Sequence, residues 1–510
     1  MSGRWEGGTP DFEQMAALGM AELRRRRTLA SNVGGEAAVA RARQRGFLTA
    51  PERLDLLLDT HTQVPFGSLV HGDDLSRAEE TFGDGEQCGF GKVEGRWVAY
   101  AATDPRVKGG SGGPASLRHA DAFRNVVEKA ALPLIDVMQG GGARIDEAMS
   151  SSFIAFPGTG MGSRKVFRRR GVYLTAVLGA YYAPWTVAQS DFSVMTSSSN
   201  ISLTSPPLVL VGTGQDVTPT ELGGADIQAR VTGQIDAVVP DEASALAMIR
   251  QVFAYLPSRA GEPAPRLDVG DPPDRSCPEL IEIVPARSTQ AYDVRRVITT
   301  LVDRGTFVEF SPEFARNLVT GLARMDGQTV GIMANQPQAL AGVIDVGAVI
   351  KARKILDLSG ELGLPFLSLV DVPGVLPTKE QEHRRLMTML YEHGSHRIRP
   401  RVPKVVVVLR KGVGFAIQAM SGGDPEAITF VWPNSQICFT GVEACVRVVH
   451  RQEIERSEDP PTLMRQLAER YEGMAAPWSA ARIACIDDVI HPAETRAKVC
   501  RALAVTRWQR

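Results

Sequence analysis

The residues best suited to chemistry in this sequence are backbone amides in two turns. Each turn follows a short apolar run and leads into a stretch with helical spacing. The first reads AYYAPW over residues 180–185, and the second reads GVGFA over residues 412–416. A strand-to-helix turn can direct N–H groups at an oxygen that gains negative charge, and each such donor contributes on the order of 3–4 kcal/mol. Two related turns therefore predict a site that stabilises an enolate or another oxyanion.

Side-chain catalysis has less support in the sequence. There is no G-x-S-x-G motif of a serine nucleophile and no H-E-x-x-H metal helix. The six cysteines contain no C-x-x-C pair, and the eight histidines are not clustered at ligand spacing. The pair His393 and His396 is interpreted as a solvated helix end or loop. We therefore predict no metal, and backbone electrostatics remains the preferred catalytic device.

A third glycine turn, at residues 140–144, is a candidate substrate-binding loop. Glycine lets a ligand approach the backbone closely, and the N-terminus of a following helix attracts anions. The arginine at its end adds charge for a phosphate or carboxylate. A plain tight turn is equally consistent with the pattern, which fits neither a P-loop nor a Rossmann fingerprint. The candidate residues are Gly140, Gly141, Gly142, Ala143 and Arg144.

The chain reads as two copies of one unit. Residues 94–103 resemble 326–335, and residues 132–142 resemble 364–374, both at an offset of 232. The apolar runs near Val172 and Lys404 are also 232 residues apart. We place an N-terminal domain at 1–262, a linker rich in Pro and Gly at 263–290, and a C-terminal domain at 291–510. Alternating strand and helix patterns in each half predict an α/β fold.

Composition limits the classes of function. The 510 residues are 44% hydrophobic and carry a net charge of -1, which argues against a nucleic-acid partner. No apolar run approaches the ~20 residues of a membrane span, so no membrane partner is expected. The scattered cysteines and the absence of a signal peptide predict a reducing, cytoplasmic location.

Collinear motifs along nearly the whole chain resemble a known family. The motifs are RGFLTAPERLDLLLD (45–59), GGARI (141–145), LGGADIQARVTGQID (222–236), LVDVPGVLP (369–377) and VPKVVVVLRK (402–411). The chain resembles the carboxyltransferase (beta) subunit of biotin-dependent acyl-CoA carboxylases, such as propionyl-CoA carboxylase.

The resemblance implies two tandem crotonase-like domains related by duplication, and a hexamer. It implies that acyl-CoA lies against the first domain and carboxybiotin against the second, each with a glycine-turn oxyanion hole. It further implies that biotin arrives on a separate carrier, together with a biotin carboxylase partner. The chain has no Met-Lys-Met acceptor motif, so it is not the carrier in that form.

The departures from the family pattern fall in the turns. In the first, the family's Gly-Gly pair aligns either with Tyr181 and Tyr182 or with Ala183 and Pro184, two residues further on. In the second, Phe415 replaces the second glycine of Gly-Gly-Ala, while Gly414 and Ala416 match. Three further candidate substrate-binding positions differ from the family. Gln418 replaces an aspartate, and Arg384 and Arg385 occupy positions where the family usually has glycines.

Three functions remain open on these grounds. The first is an acyl-CoA carboxyltransferase that moves a carboxyl group between carboxybiotin and the α-carbon of an acyl thioester. The second is a biotin-independent decarboxylase or hydrolase, acting on CoA or carrier-protein thioesters in a specialised pathway. The third is a non-catalytic subunit of a carboxylase complex.

Overall fold

The computed structural model of the chain describes residues 12–156, 171–395, 402–421 and 427–506. The chain divides into two compact units. The first contains residues Met1–Gln228 and Val238–Gln251, and the second contains Ala229–Ala237 and Val252–Arg510. The segment 263–290, predicted as a linker, belongs to the second unit.

The first unit is an eight-stranded sheet with helices. Its strands are β1 (Val64–Phe66), β2 (Glu86–Val93), β3 (Arg96–Thr103), β4 (Leu134–Gly140), β5 (Tyr173–Tyr182), β6 (Phe192–Thr196), β7 (Asn200–Ser202) and β8 (Ala237–Val239). Its helices are α1 (Phe12–Ser31), α2 (Gly35–Gln44), α3 (Ala50–Leu57), α4 (Pro114–Ala130), α5 (Ile145–Ala148), α6 (Ser151–Ala155), α7 (Trp185–Gln189), α8 (Pro206–Thr213), α9 (Pro219–Gly223) and α10 (Glu242–Phe253).

The second unit repeats this plan. Its strands are β9 (Val308–Phe310), β10 (Leu318–Met325), β11 (Gln328–Asn335), β12 (Phe366–Val372), β13 (Lys404–Val413), β14 (Ile428–Val431), β15 (Gln436–Cys438) and β16 (Asp488–Val489). Its helices are α11 (Leu280–Ile283), α12 (Val294–Leu301), α13 (Val346–Leu362), α14 (Lys379–His383), α15 (Leu386–Ser395), α16 (Phe415–Met420), α17 (Val442–Val449), α18 (Arg451–Arg456), α19 (Pro460–Ala475), α20 (Trp478–Arg482) and α21 (Thr495–Thr506).

The two sheets have the same topology. The strand order is β1-β2-β3-β4-β5-β6-β8 in one and β9-β10-β11-β12-β13-β14-β16 in the other. β7 pairs with β5 off this path, as β15 does with β13. The first three strands of each sheet are antiparallel and the next pairings are parallel. The duplication predicted from the sequence is therefore present at the level of the fold.

The offset between the two copies changes from 232 to 231 residues at the strand before each turn. Leu134 of β4 pairs with Tyr173, and its counterpart Phe366 of β12 pairs with Lys404. Tyr173 and Lys404 are 231 residues apart, so the offset of 232 predicted near Val172 is wrong by one at this strand. A shorter connection before β13 accounts for the shift.

Parallel strands covered on both faces explain the continuous apolar runs. Residues 405–409 of β13 are 2% exposed or less, as expected for a strand buried on both sides. Residues 173–179 of β5 and 405–410 of β13 are buried, which fixes both strands close to the point where the turns begin.

Candidate active site

The turn after β13 has a backbone that only glycine adopts at low cost. Gly414 has φ 61° and ψ −150°, a region that is essentially restricted to glycine. A methyl group on its Cα would lie 3.0 Å from the carbonyl oxygen of Phe439. The Gly414 N–H donates to the carbonyl oxygen of Cys438 at 2.8 Å, which ties the turn to β15.

Two backbone donors follow Gly414. Phe415 and Ala416 are the first two residues of α16, so their N–H groups have no partner within the helix. Neither N–H has a hydrogen-bond partner in the part of the chain that the structure describes. Ala416 is buried, whereas the Phe415 ring is 52% exposed. Gln418, one turn further along the helix, is exposed as well.

The equivalent turn of the first unit lies at the end of β5. Tyr182 of β5 pairs with Ser202 of β7, and the next residue, Ala183, donates its N–H to the Ser202 carbonyl at 3.0 Å. This bond corresponds to the one from Gly414 to Cys438. Ala183 also has a positive φ of 55°. Ala183 and Pro184 are therefore the structural counterparts of Gly414 and Phe415, in agreement with the second of the two alignments.

This first turn differs from the second in its donors. Pro184 has no N–H, and its φ of −79° and ψ of 57° are those of the centre of an inverse γ-turn. The Trp185 N–H donates to the Ala183 carbonyl at 2.8 Å across that turn. Three consecutive residues, from Ala183 to Trp185, thus offer no free N–H group.

The two tyrosines at the end of β5 have different surroundings. Tyr181 packs against the hydrophobic cluster that includes Phe123 and Met138, and Thr186 Oγ1 donates to its hydroxyl at 3.3 Å. Successive side chains of a strand point to opposite faces, so Tyr182 leaves the sheet on the other side. Tyr182 is half-buried, and its hydroxyl makes no hydrogen bond with any described residue.

The glycine loop 140–144 lies directly beside Tyr182. Gly140 pairs with Tyr181, and a methyl group at Gly142, where φ is 76°, would lie 3.6 Å from Tyr182 Cβ. Gly141 and Ala143 are exposed. The structure therefore brings the predicted substrate-binding loop and the first turn together.

Arg144 has a different environment from the predicted one. Its guanidinium is 4% exposed and lies 2.7 Å from Asp84 Oδ1 and 3.0 Å from Glu147 Oε2. It also donates to the Ser111 carbonyl at 2.8 Å. These partners neutralise the charge that was expected to meet a phosphate or carboxylate, so Arg144 holds the loop in place instead.

Arg384 and Arg385 remain exposed at the turn between α14 and α15. Neither has a carboxylate partner among the residues that the structure describes. Arg385 has a φ of 63°, a conformation that costs a non-glycine residue about 1–2 kcal/mol. Among the described residues, no carboxylate competes with an anion for this exposed and strained arginine.

Sequence reasoning missed two buried polar networks beneath the turns. In the second unit, Arg410 of β13 pairs with the fully buried Asp371 at 3.0 Å. Tyr292 donates to the same carboxylate at 3.0 Å, and burial raises the pKa of this tyrosine well above its ordinary value. Arg410 lies four residues before Gly414, so the network holds the end of the strand that carries the turn.

The counterpart network of the first unit uses other residues. Arg53 of α3 is fully buried and pairs with Glu242 at 2.8 Å. Its guanidinium also donates to Gln139, which directly precedes the glycine loop. Buried arginines appear in the sequence as ordinary charged residues, so only their contacts reveal them.

His393 is the other residue that the structure corrects. It is 2% exposed rather than solvated, and its Nε2 lies 2.8 Å from the Ala419 carbonyl oxygen. It thereby fastens α15 to α16, the helix that begins at Phe415. His396 lies outside the described residues.

No described helix is long and apolar enough to cross a membrane. The described residues also contain no group of three or more side chains arranged to hold a metal ion.

Comparisons with known proteins agree with this architecture. Residues 41–510 match the carboxyl transferase domain family. The chain is 34% identical to the propionyl-CoA carboxylase carboxyltransferase subunit of Haloferax mediterranei, over 96% of each chain. It is 33% identical to the methylmalonyl-CoA carboxyltransferase 12S subunit of Propionibacterium freudenreichii subsp. shermanii, over 96% of this chain and 94% of that one.

A solved structure matches as well. The transcarboxylase 12S hexamer, crystallised with methylmalonyl-coenzyme A and methylmalonic acid bound, superposes with a TM-score of 0.89. The match covers 99% of this chain and 98% of that one at 30% identity.

The duplicated sheets and their turns define a protein of two tandem crotonase-like units. The chain belongs to the carboxyl transferase family, and it is a carboxyltransferase of the acyl-CoA carboxylase type.

Proposed function

We propose that this chain moves a carboxyl group between carboxybiotin, held on a separate carrier subunit, and the α-carbon of an acyl-CoA. The support is the whole-length relationship to acyl-CoA carboxyltransferases together with one retained turn. The relatives' names point to propionyl-CoA and methylmalonyl-CoA as the first substrates to test.

The observation that carries the proposal is the pair of N–H groups after Gly414. Carboxybiotin, when bound, supplies the carboxyl group. Its planar ureido carbonyl is a hydrogen-bond acceptor, and the unpartnered N–H groups of Phe415 and Ala416 fit such an acceptor. These donors would stabilise negative charge on an oxygen in the transition state. The exposed Phe415 ring would narrow the approach to them.

In this proposal, each unit contributes substrate-binding residues of its own. Gly140, Gly141, Gly142 and Ala143 give the thioester room to approach the backbone near Tyr182. Arg384, Arg385 and Gln418 would contact the carboxylated or acyl end of a substrate in the second unit. The absence of carboxylate partners for the two arginines, among the described residues, supports this assignment.

We infer that the active assembly is a hexamer that works with a biotin carboxylase and a biotin carrier. The support is the hexamer of transcarboxylase 12S, which this chain matches over its whole length. All six cysteines are free, which supports a reducing location such as the cytoplasm.

The test is a mass-spectrometric assay of the purified chain with malonyl-CoA and methylmalonyl-CoA, with and without free biotin. We expect loss of the carboxyl group only when biotin is present, as the reverse half-reaction. Carboxyl loss without biotin would instead identify a biotin-independent decarboxylase. No turnover with a panel of carboxylated acyl-CoA esters, with the carrier subunits present, would refute the proposal.

A further inference from the structure

We propose that the Tyr182 hydroxyl donates the hydrogen bond to the thioester oxyanion that backbone N–H groups can no longer supply in the first turn. This inference rests on the proposed function, since it assigns a catalytic residue to the same reaction. Three independent features of the first unit carry it.

The first feature is the loss of the backbone donors. The Ala183 N–H is used by Ser202, Pro184 has no N–H, and the Trp185 N–H closes the inverse γ-turn. The corresponding turn of the second unit keeps two N–H groups without partners among the described residues. A carboxyl transfer through an enolate therefore requires a donor from outside these three residues, because an unstabilised oxyanion raises the barrier by several kcal/mol.

The second feature is the state of the Tyr182 hydroxyl. Buried tyrosines usually satisfy their hydroxyl with a protein partner, and Tyr181 does so with Thr186. Tyr182 is half-buried, but its hydroxyl makes no hydrogen bond within the described part of the chain. A phenol can donate one hydrogen bond.

The third feature is position. Tyr182 immediately precedes Ala183 and lies against Gly142, where a methyl group on the Cα would be 3.6 Å from Tyr182 Cβ. The exposed backbone of Gly141 and Ala143 adjoins it. A thioester that enters over this loop meets the face of β5 from which Tyr182 projects, not the face on which Tyr181 packs into the core.

The test compares Tyr182→Phe with Tyr181→Phe. Both variants remove one hydroxyl from neighbouring residues of one strand. Tyr181→Phe also removes the acceptor of the buried Thr186 hydroxyl, so the control carries the greater risk to folding. With biotin present, we expect Tyr182→Phe to lower kcat for carboxyl loss about 100-fold with KM changed less than 3-fold. Tyr181→Phe should keep kcat within about 3-fold of the wild type. A wild-type kcat in Tyr182→Phe would overturn the inference.

A second measurement separates this inference from the proposed function. Fluorinated tyrosine is placed at position 182 in the full chain, and its ¹⁹F resonance is followed as malonyl-CoA or CoA alone is added. A shift with malonyl-CoA but not with CoA supports contact with the acyl thioester, even if the wild type shows no carboxyl transfer. No shift with malonyl-CoA overturns the inference. Failure of the wild type to turn over, with the shift present, refutes only the proposed reaction.

Discussion

Replacing Gly414 by alanine tests whether the second turn is an oxyanion hole. The alanine would have to adopt φ 61° and ψ −150°, and its methyl group would meet the Phe439 carbonyl at 3.0 Å. Backbone strain of this kind costs about 1–3 kcal/mol. The turn can relieve it only by rotating the following peptide units, which carry the N–H groups of Phe415 and Ala416.

The effect on the rate should be larger than the effect on stability. Misplacing one oxyanion donor costs about 2.7–4 kcal/mol of transition-state stabilisation, or 100- to 1,000-fold in kcat. The assay is the biotin-dependent loss of the carboxyl group from malonyl-CoA or methylmalonyl-CoA. We expect Gly414→Ala to lower kcat by at least about 100-fold while the fold, followed by circular dichroism, is retained.

Gly305→Ala is the matched control. Gly305 also has a positive φ, 72°, and a methyl group there meets no atom within 4 Å. It lies in the second unit, outside the proposed site. Both variants introduce left-handed strain, so both should lose some stability, but only Gly414→Ala should lose turnover. Equal kcat values for Gly414→Ala and the wild type would refute the reasoning that Phe415 and Ala416 act as donors.

Three further predictions address charge and strain. Asp371→Asn leaves the buried Arg410 without its counter-ion; urea denaturation should show a loss of about 3–5 kcal/mol, and a loss below ~1 kcal/mol would contradict the ion-pair argument. Arg385→Gly should raise the melting temperature by removing left-handed strain, yet raise KM for a carboxylated acyl-CoA about tenfold by removing a charged donor. Arg384→Gly, at an ordinary φ of −87°, should weaken binding without that gain in stability. An unchanged KM in both variants would exclude an anion-binding role. Burial lowers the pKa of Lys351 to about 8 from 10.5, so between those pH values the unfolded chain binds more protons and stability rises with pH. The free energy of unfolding, relative to that of Lys351→Met, should rise by up to about 3 kcal/mol from pH 7.5 to 10.5. A difference that does not change with pH would show that burial does not lower the pKa of Lys351.

The sequence predicted the fold well because the fold depends on features that repeat. Continuous apolar runs indicate strands buried on both faces, and their recurrence at one spacing indicates duplication. The sheets with the same strand order confirm both. The register at β13 was missed by one residue, because a run of valines looks the same after a shift of one position.

The candidate site was harder to predict, because its meaning depends on single hydrogen bonds. Tyr181, Tyr182, Ala183 and Pro184 all remained candidates for the lost glycine pair, since each alignment preserved the surrounding pattern. The bond from Ala183 to Ser202 distinguishes them. Likewise, the charge of Arg144 suggested a ligand, and only its contacts with Asp84 and Glu147 show an internal role.

The duplicated turns have diverged unequally, and the difference lies in more than the missing glycines. A glycine at position 183 would relieve the positive φ, but its N–H would still be committed to Ser202, as the Gly414 N–H is to Cys438. In the second unit the donors are Phe415 and Ala416, the two residues that follow Gly414. In the first, those two positions hold Pro184, which has no N–H, and Trp185, whose N–H is already used. Stabilisation of an oxyanion in the first unit must therefore come from outside these positions, and Tyr182 is the adjacent residue whose hydroxyl has no partner among the described residues.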